Sequence, residues 1–153
     1  GNLDWQRDRF RDHILAAKEI KKPLIIHCRE ASSDVIRLLR EEGADQVGGV
    51  MHCFVEDLDT AKKAIDLNFL ISFSGIVTFK NAIPLKTIAK ELPDNSIIVE
   101  TDSPYLAPVP YRGKLNQPAY VRHVAEHIAD LRDINLEEFA NLTTANYKRV
   151  FSQ

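Results

Sequence analysis

Four short runs rich in Ile and Val, separated by longer amphipathic segments, constrain the fold of this chain more than any other feature of its sequence. The runs span Pro23–His27, Val47–His52, Phe69–Phe73 and Ser96–Glu100. Each run is nearly continuous in hydrophobicity, with little alternation between apolar and polar residues. This pattern is typical of parallel strands that are covered on both faces. We therefore predict that the four runs form a parallel sheet.

The segments around these runs have the apolar spacing of helices that pack on a sheet. Their apolar sets are Trp5, Phe10, Ile14, Ala17 and Ile20; Val35, Leu38 and Leu39; Ala61, Ala64, Ile65 and Leu67; Leu85, Ile88 and Ala89; and Val121, Val124, Ile128 and Leu131. Asn2 is the predicted N-cap of the first helix, and Gly43 is the predicted end of the second. Asn135 and Glu138 predict a capping box before the last helix.

The order of these elements is α(βα)₄ followed by further helices, which predicts an α/β fold with right-handed crossovers. Two architectures fit this order: an open doubly wound sheet and an arc of a (β/α)₈ barrel. A complete barrel needs eight strands and about 250 residues. The chain has 153 residues and four predicted strands, so it fits a single domain that is at most half a barrel.

Three of the predicted strands end at or near a residue that can bind a metal ion. These residues are His27, His52 and Asp102. Because the carboxyl ends of parallel strands share one rim, we expect the three side chains to converge there. Imidazole and carboxylate ligands suit zinc, manganese or similar divalent ions. Their equivalent positions in three units favour a metal site over three unrelated polar strand ends.

Cationic and amide side chains near these residues are candidates for binding an anionic substrate. Arg29 follows the first histidine by two residues, and Arg112, Lys114 and Asn116 lie in the loop after Asp102. Arginine suits bidentate recognition of phosphate, and lysine supplies a point charge. Lys114 alone is better interpreted as an ordinary surface charge.

Three other residues near the predicted site each have two interpretations. Glu100 either orients a metal ligand from behind or forms a buried ion pair with Arg29. Tyr105 and Tyr111, in the loop after Asp102, either stack on a base or sugar or pack within the loop itself. The sequence leaves these alternatives open.

Composition and charge exclude several classes of protein. Hydrophobic residues make up 44% of the chain and charged residues 27%, which excludes a disordered protein. The formal net charge of −2 means that a polyanion would have to bind at a local patch. No apolar run approaches the roughly 20 residues of a membrane span, so we expect no membrane contact. The two cysteines, Cys28 and Cys53, are expected to be buried structural thiols in a cytoplasmic protein.

Five short segments form an ordered set of motifs along the chain. They are PLIIHCR at 23–29, VMHCF at 50–54, FSGIVTF at 73–79, ETDSPYL at 100–106 and RGKLNQP at 112–118. In this order they resemble the signatures of the TatD-type metal-dependent deoxyribonucleases. The similarity covers essentially the whole chain, and the order of the motifs makes it specific.

The resemblance implies an amidohydrolase-like (β/α)₈ barrel that holds one to three divalent metal ions, with Zn, Mg and Mn as candidates, and hydrolyses phosphodiester bonds at DNA ends. It implies that His27 and His52 bind one metal ion. Asp102 would bind the neighbouring ion and act as a catalytic base for the attacking water. Arg29 and the loop from Arg112 to Asn116 would approach the phosphate.

The chain also departs from the pattern of this family. The first-strand His-X-His pair and the fourth-strand Glu, which complete the family's metal centre, are absent from residues 1–153. His27, His52 and Asp102 would then correspond to barrel strands five, six and eight. We therefore expect this chain to be the C-terminal half of such a barrel.

A half barrel would have exposed strand edges and an incomplete set of metal ligands. Exposed edges favour pairing with another chain, so we expect self-association or pairing with the missing N-terminal half. We also expect weak metal binding and little or no nuclease activity from the isolated chain. One alternative is a non-catalytic half-barrel module that acts in binding or assembly. Another is a doubly wound domain for a phosphorylated ligand, although no Gly-rich loop at a strand-to-helix junction supports it.

Overall fold

The computed structural model describes residues 3–152. Six helices and four strands occur in these residues, and short 3₁₀ turns occupy several of the connections. They are α1 Asp4–Ile20, β1 Leu24–His27, α2 Ser32–Glu41, β2 Gly49–His52, α3 Leu58–Asp66, β3 Phe69–Phe73, α4 Ile83–Glu91, β4 Ile97–Val99, α5 Val121–Arg132 and α6 Leu136–Phe151. All four predicted strands are confirmed, with ends that differ from the prediction by at most two residues.

The four strands form one parallel sheet in the order β1-β2-β3-β4. In the register, His27 lies opposite His52, and Ile71 lies opposite Ile97. A doubly wound sheet has a point at which its strand order reverses, and this sheet has none within residues 3–152. The doubly wound alternative is therefore wrong. The prediction of parallel βα units that form four strands of a barrel-type fold is confirmed.

The helix boundaries follow local capping chemistry. The side chain of Asn135 accepts a hydrogen bond of 2.8 Å from the backbone N–H of Glu138 at the start of α6, as the predicted cap requires. Gly43 lies just beyond α2 with a φ of +64°, a left-handed conformation that glycine adopts without strain. Asn2, the predicted cap of α1, lies outside the described residues.

One face of the sheet packs against helices and forms the main core. Alternation along the strands and the strand register put Ile26, Met51, Ile71 and Ile97 on this face, and all four are buried. Helical residues complete the core, among them Leu39, Ala64, Ile88 and Ile128. Burial of such side chains contributes about 1.5–3 kcal/mol each, which explains why the sheet forms from such short strands.

Helix α1 buries a narrower stripe than its apolar spacing predicts. Ile14 and Ala17 are buried and Phe10 is half-buried, but Trp5 and Ile20 are exposed. The physical reason is that α1 packs at the edge of the fold, mainly against α2 and the turn at 44–46. Only the middle of the helix is therefore covered.

The opposite face of the sheet is covered unevenly. Ile25 on β1 is 67% exposed, whereas Val50 and Leu70 on the two central strands are buried. The exposed edge of the sheet is thus on the β1 side.

No helix within residues 3–152 has the length and hydrophobicity needed to span a bilayer.

Candidate metal centre

Three metal-binding side chains converge where β2 and β4 end. His52 is the last residue of β2, Glu100 directly follows β4, and Asp102 lies two residues further along. One imidazole nitrogen and one oxygen from each carboxylate lie within 4.8 Å of one another. All three side chains are half-buried. Parallel strands with carboxyl ends on one rim bring these residues together, although they are up to 50 positions apart in the sequence.

The ring of His52 lies between the two carboxylates. Its Nδ1 is 2.7 Å from Oε1 of Glu100, and its Nε2 is 3.4 Å from Oδ1 of Asp102. Both ring nitrogens therefore face a carboxylate oxygen, and the ring orientation is restricted on both sides.

Glu100 has one oxygen that is engaged and one that is not. Its Oε2 accepts a hydrogen bond of 3.0 Å from the backbone N–H of Cys53. Its Oε1 is buried and, although close to His52, is not aligned with any donor as a hydrogen bond within the described residues. A buried carboxylate oxygen without a hydrogen bond is costly, and a cation at this point would offset that cost.

The three donors fit a divalent metal ion. Imidazole and carboxylate are the ligand types that zinc and manganese accept, and carboxylate oxygens suit magnesium. The buried Oε1 of Glu100, which lies 2.7 Å from Nδ1 of His52 without an aligned hydrogen bond, is the observation in this structure that favours a bound cation. The group formed by His52, Glu100 and Asp102 is called the metal centre below.

His27 lies beside the metal centre but is not one of its three donors. It ends β1 directly opposite His52 in the register, and the centroids of the two rings are 5.9 Å apart. The side chain of His27 is exposed and, with that of Arg29, lines a separate cavity of about 370 Å³ next to α1 and α2. The two predicted histidines are therefore neighbours on the rim and lie on the same face of the sheet.

The metal centre opens onto the second face of the sheet. His52, Glu100 and Asp102 line a cavity of about 320 Å³ together with Ile25 and Ile98. The walls of this cavity away from the metal centre are mostly apolar, with Val50, Tyr147 and Phe151 contributing. The donors thus lie at the polar end of an apolar cavity, as is typical of ligand-binding sites.

Asn116 holds the loop at 103–117, which follows Asp102. Its side chain is only 4% exposed, and its Nδ2 donates hydrogen bonds to the carbonyl oxygens of Thr101 at 2.7 Å and Tyr105 at 2.6 Å. Its Oδ1 accepts a hydrogen bond of 2.9 Å from the backbone N–H of Gln117. The amide predicted to contact substrate is therefore engaged with the backbone of its own loop.

The motif at 73–79 packs against the loop at 103–117, and Gly75 makes this close approach possible. A Cβ atom at this position would lie 1.9 Å from the carbonyl oxygen of Leu106, so only glycine allows the loop to approach the segment after β3. In the same segment, the hydroxyl of Thr78 accepts a hydrogen bond of 2.9 Å from the backbone N–H of Val109. The motif at 73–79 is thus a platform on which the loop packs.

The aromatic and basic side chains of the loop divide into packed and exposed groups. Tyr111 stacks on Tyr120 with ring centroids 4.1 Å apart and planes 5° from parallel. The guanidinium carbon of Arg112 lies 4.3 Å from the centroid of the Phe79 ring, and this arginine is exposed on its other side. Tyr105, by contrast, is 71% exposed. Packing is therefore the role of Tyr111, but not of Tyr105.

The two cysteines are buried and not disulfide-bonded, as predicted. Burial raises the pKa of the Cys28 thiol to about 11, and the nearby carboxylate of Glu56 adds to this effect. Burial also raises the pKa of the Cys53 thiol. The Sγ atom of Cys53 lies 3.3 Å from the Oγ atom of Ser74. Raised pKa values disfavour the thiolate form that binds metals.

Glu100 is the member of the metal centre that sequence reasoning did not count among the ligands. Of its two predicted roles, the structure favours contact with a metal ligand, since its carboxylate faces His52 and not Arg29. The available signal was its position two residues before Asp102 at the end of a strand, which directs both side chains to the same rim.

Fold and site together define a class of protein. The chain is a parallel βα array whose candidate metal ligands lie at the carboxyl ends of the strands, where barrel enzymes build their active sites. Residues 2–152 match the family model described as TatD related DNase. The chain therefore belongs to the TatD-related DNase family, which confirms the resemblance found in the sequence.

Curated relatives from bacteria support this assignment. The chain is 53% identical over 146 residues to a protein of Escherichia coli K12 named "Uncharacterized metal-dependent hydrolase YcfH". The matched region covers 95% of the chain and 55% of that protein. It is 49% identical over 148 residues to "Uncharacterized metal-dependent hydrolase YabD" of Bacillus subtilis, which covers 97% of the chain and 58% of that protein. The chain thus spans somewhat more than half the length of these relatives.

Solved structures show the same fold. The crystal structure of the TatD homologue YJJV from Escherichia coli K12 matches the whole chain and 60% of that protein, with a TM-score of 0.89 at 24% sequence identity. A TatD family hydrolase from Entamoeba histolytica matches 93% of the chain with a TM-score of 0.81 at 22% identity. At these identities the structures establish the architecture alone.

Proposed function

We propose that this chain is part of a metal-dependent hydrolase that acts on phosphodiester bonds of DNA. The observation that carries the proposal is the convergence of His52, Glu100 and Asp102 within 4.8 Å on the rim where barrel enzymes hold their metals. The family description, which names a DNase, supports the choice of substrate. The names of the relatives support metal-dependent hydrolysis.

Within this proposal the metal ligands are His52, Glu100 and Asp102, and His27, next to them on the rim, is a further ligand. These residues would hold a divalent ion, which would supply positive charge for the phosphoryl oxygens and favour deprotonation of the attacking water. Glu100 restricts the ring of His52 through the 2.7 Å contact at Nδ1. Asp102 has a half-exposed carboxylate that can accept the proton of the attacking water, which is the role of a general base.

Substrate binding is proposed for the exposed arginines. Arg29 lies two residues beyond the end of β1 and lines a cavity with His27, and Arg112 lies in the loop at 103–117, which follows Asp102. Guanidinium groups suit the paired oxygens of a phosphodiester. Asn116 contributes indirectly in this scheme, because its buried amide fixes the loop that carries Arg112.

We propose further that the chain is the C-terminal half of the barrel and functions when paired with an N-terminal half or with another copy. The exposed Ile25 on the β1 edge of the sheet supports such pairing, since uncovered strand edges favour association. The isolated chain should then bind metal weakly and cleave DNA poorly. A cytoplasmic location is proposed on the basis of the two free thiols.

A chimera tests the proposal. The segment of the Escherichia coli relative that matches this chain is replaced by residues 1–153, and cleavage of a labelled oligonucleotide is measured with added Mn²⁺. We expect metal-dependent cleavage that is lost with His52→Ala and retained with Trp5→Ala, a change of an exposed residue on α1. A folded, metal-containing chimera that leaves DNA intact while the unmodified relative cleaves it would contradict the proposal.

The isolated chain is measured in the same assay. Strong cleavage by residues 1–153 alone, abolished by His52→Ala, would contradict the proposal that the chain needs a second half. A monodisperse monomer in sedimentation analysis would count against self-association. Absence of metal binding by both proteins would favour the non-catalytic half-barrel module.

A further inference from the structure

The loop at 103–117 is a local cationic segment. Between Asp102 and Glu126 the sequence contains Arg112, Lys114 and Arg122 but no Asp or Glu. The chain as a whole has a net charge of −2, so this segment differs in sign from the average of the molecule. Such a segment is what a protein of low net charge needs in order to bind a polyanion.

Two apolar side chains of this loop are exposed beside its positive charges. Tyr105 is 71% exposed and Leu115 is 74% exposed. Tyr105 makes no ring stacking or cation–π contact with the described residues, whereas Tyr111 and Arg112 are both engaged with other rings. The ring faces of Tyr105 are therefore available to a ligand.

The backbone that carries Tyr105 is held in place next to the metal centre. Its N–H donates a hydrogen bond of 3.0 Å to the carbonyl oxygen of Asp102, and its own carbonyl oxygen accepts one of 2.6 Å from Nδ2 of Asn116. The N–H of Asn116 also donates a hydrogen bond of 2.9 Å to the carbonyl oxygen of Pro104. An exposed ring on a backbone fixed in this way is positioned before any ligand arrives.

Leu115 extends this surface from the neighbouring segment. It directly precedes Asn116, whose hydrogen bonds join its segment to the backbone at 104–105. Arg112 and Lys114 lie on the same stretch and supply positive charge for a phosphate backbone. The loop that follows Asp102 thus carries an exposed ring, an exposed aliphatic side chain and two cations.

We infer that Tyr105, flanked by Leu115, is the stacking surface for an unpaired nucleobase next to the phosphodiester at the metal centre. This inference rests on the proposed function, because it takes the ligand to be a nucleic-acid strand. Stacking on an aromatic ring tolerates every base, since each base has a π-face. A base within a duplex already stacks on its neighbours, so the ligand at this surface is a single-stranded or frayed end.

Equilibrium binding tests the inference without requiring turnover. The parent protein for this test is the chimera of residues 1–153 with the Escherichia coli relative. It is titrated with fluorescent oligothymidylate in the presence of Mn²⁺, and with an abasic oligomer that has the same length and charge. Tyr105→Ala is expected to weaken binding of oligothymidylate about 5- to 150-fold and to leave binding of the abasic oligomer unchanged. Tyr105→Phe retains the ring and should bind both oligomers like the parent protein.

Two further variants complete the test. Leu115→Ala should weaken binding of oligothymidylate by less than Tyr105→Ala and should again spare the abasic oligomer. Trp5→Ala removes an exposed aromatic ring on α1, away from the loop, and should leave both affinities unchanged. The exposure of all three positions means that circular dichroism should show no change in fold.

The outcomes separate the two levels of the proposal. If Tyr105→Ala weakens both oligomers equally, or weakens neither, the stacking inference is wrong while the proposed function stands. Failure of the parent protein to bind either oligomer in Mn²⁺ would overturn the proposed function, and the inference would fall with it.

Discussion

The two sides of the rim differ in how completely this chain builds them. On the side of the rim from β2 to β4, His52, Glu100 and Asp102 contact one another, and the loop after Asp102 is held by Asn116. On the β1 side, His27 and Arg29 are exposed. The first side is organised by contacts within the described residues, whereas the second has exposed groups at the edge of the sheet.

This difference shows that the residues of the candidate site are not held equally firmly by the rest of the chain. Strand β4 and its loop are surrounded by β3, α5 and α6, so their side chains have fixed partners. Strands β1 and β4 each have a strand neighbour on one side only, but β4 also packs extensively against α6. A rim residue on β1 therefore depends on whatever covers that edge, and a rim residue near β4 does not.

The largest expected effect concerns the stability of the two sides. Phe73 on β3 is fully buried and packs edge-to-face against Phe54, so Phe73→Ala should lower the free energy of unfolding by about 3–5 kcal/mol. Ile25→Ala, at the exposed edge, should change it by less than about 0.5 kcal/mol. Urea denaturation measures both, and equal losses would contradict the contrast between the two sides.

Metal affinity should show the next largest effect. His52→Ala should weaken Mn²⁺ binding by about 100-fold or more, because it removes the donor between the two carboxylates. His27→Ala should weaken it by less, because His27 lies outside that group. Isothermal titration calorimetry compares the two variants. A larger loss for His27→Ala would place the metal on the β1 side and reverse the comparison.

The reactivity of the Cys28 thiol tests whether solvent reaches the helix-covered face of β1 as well as the exposed face that carries Ile25. With its pKa at about 11, Cys28 should have about 100-fold less thiolate at pH 8 than an ordinary thiol. Native protein should therefore react with iodoacetamide much more slowly than urea-unfolded protein, and the rate should rise with pH up to about 11. Rapid labelling of native Cys28, located by mass spectrometry, would show that the helix-covered face of β1 is open as well.

The smallest of these effects concerns Glu100. Glu100→Gln keeps the shape of the side chain but removes the charge next to Nδ1 of His52, and it should reduce Mn²⁺ affinity about 10- to 100-fold. Arg29→Gln, on the β1 side, is the matched control and should leave metal affinity unchanged. If the two substitutions had the same effect on the titration, Glu100 would have no special place in the site.

The fold was largely predictable from the sequence. Continuous apolar runs such as the one at Phe69–Phe73 indicate buried parallel strands, and Asn135 marks the start of α6 through its own side chain. These signals are local, because each depends on residues within a few positions of one another. The exposed Trp5 shows the limit of such signals, since helical spacing does not tell how many neighbours will cover a helix.

The candidate site was predictable in part. His52 and Asp102 were identified because they lie at strand ends, and the structure brings them together. For Glu100 the sequence allows two roles, and only the structure distinguishes them. For Asn116 the sequence predicts substrate binding, but in the structure its amide is engaged with the loop backbone. These hydrogen bonds join residues that are more than ten positions apart. The residue types alone therefore do not reveal them.

The sequence by itself determined the parallel βα order, the strand ends that carry the ligands, and the family to which the chain belongs. The tertiary structure decided which of those residues meet. It joined His52 to Glu100 and Asp102, placed His27 beside them outside that group, and left Tyr105 exposed while it packed Tyr111. The physical reason is that side-chain identity and spacing set local conformation, whereas distance between side chains depends on strand register and on loops folded over one another.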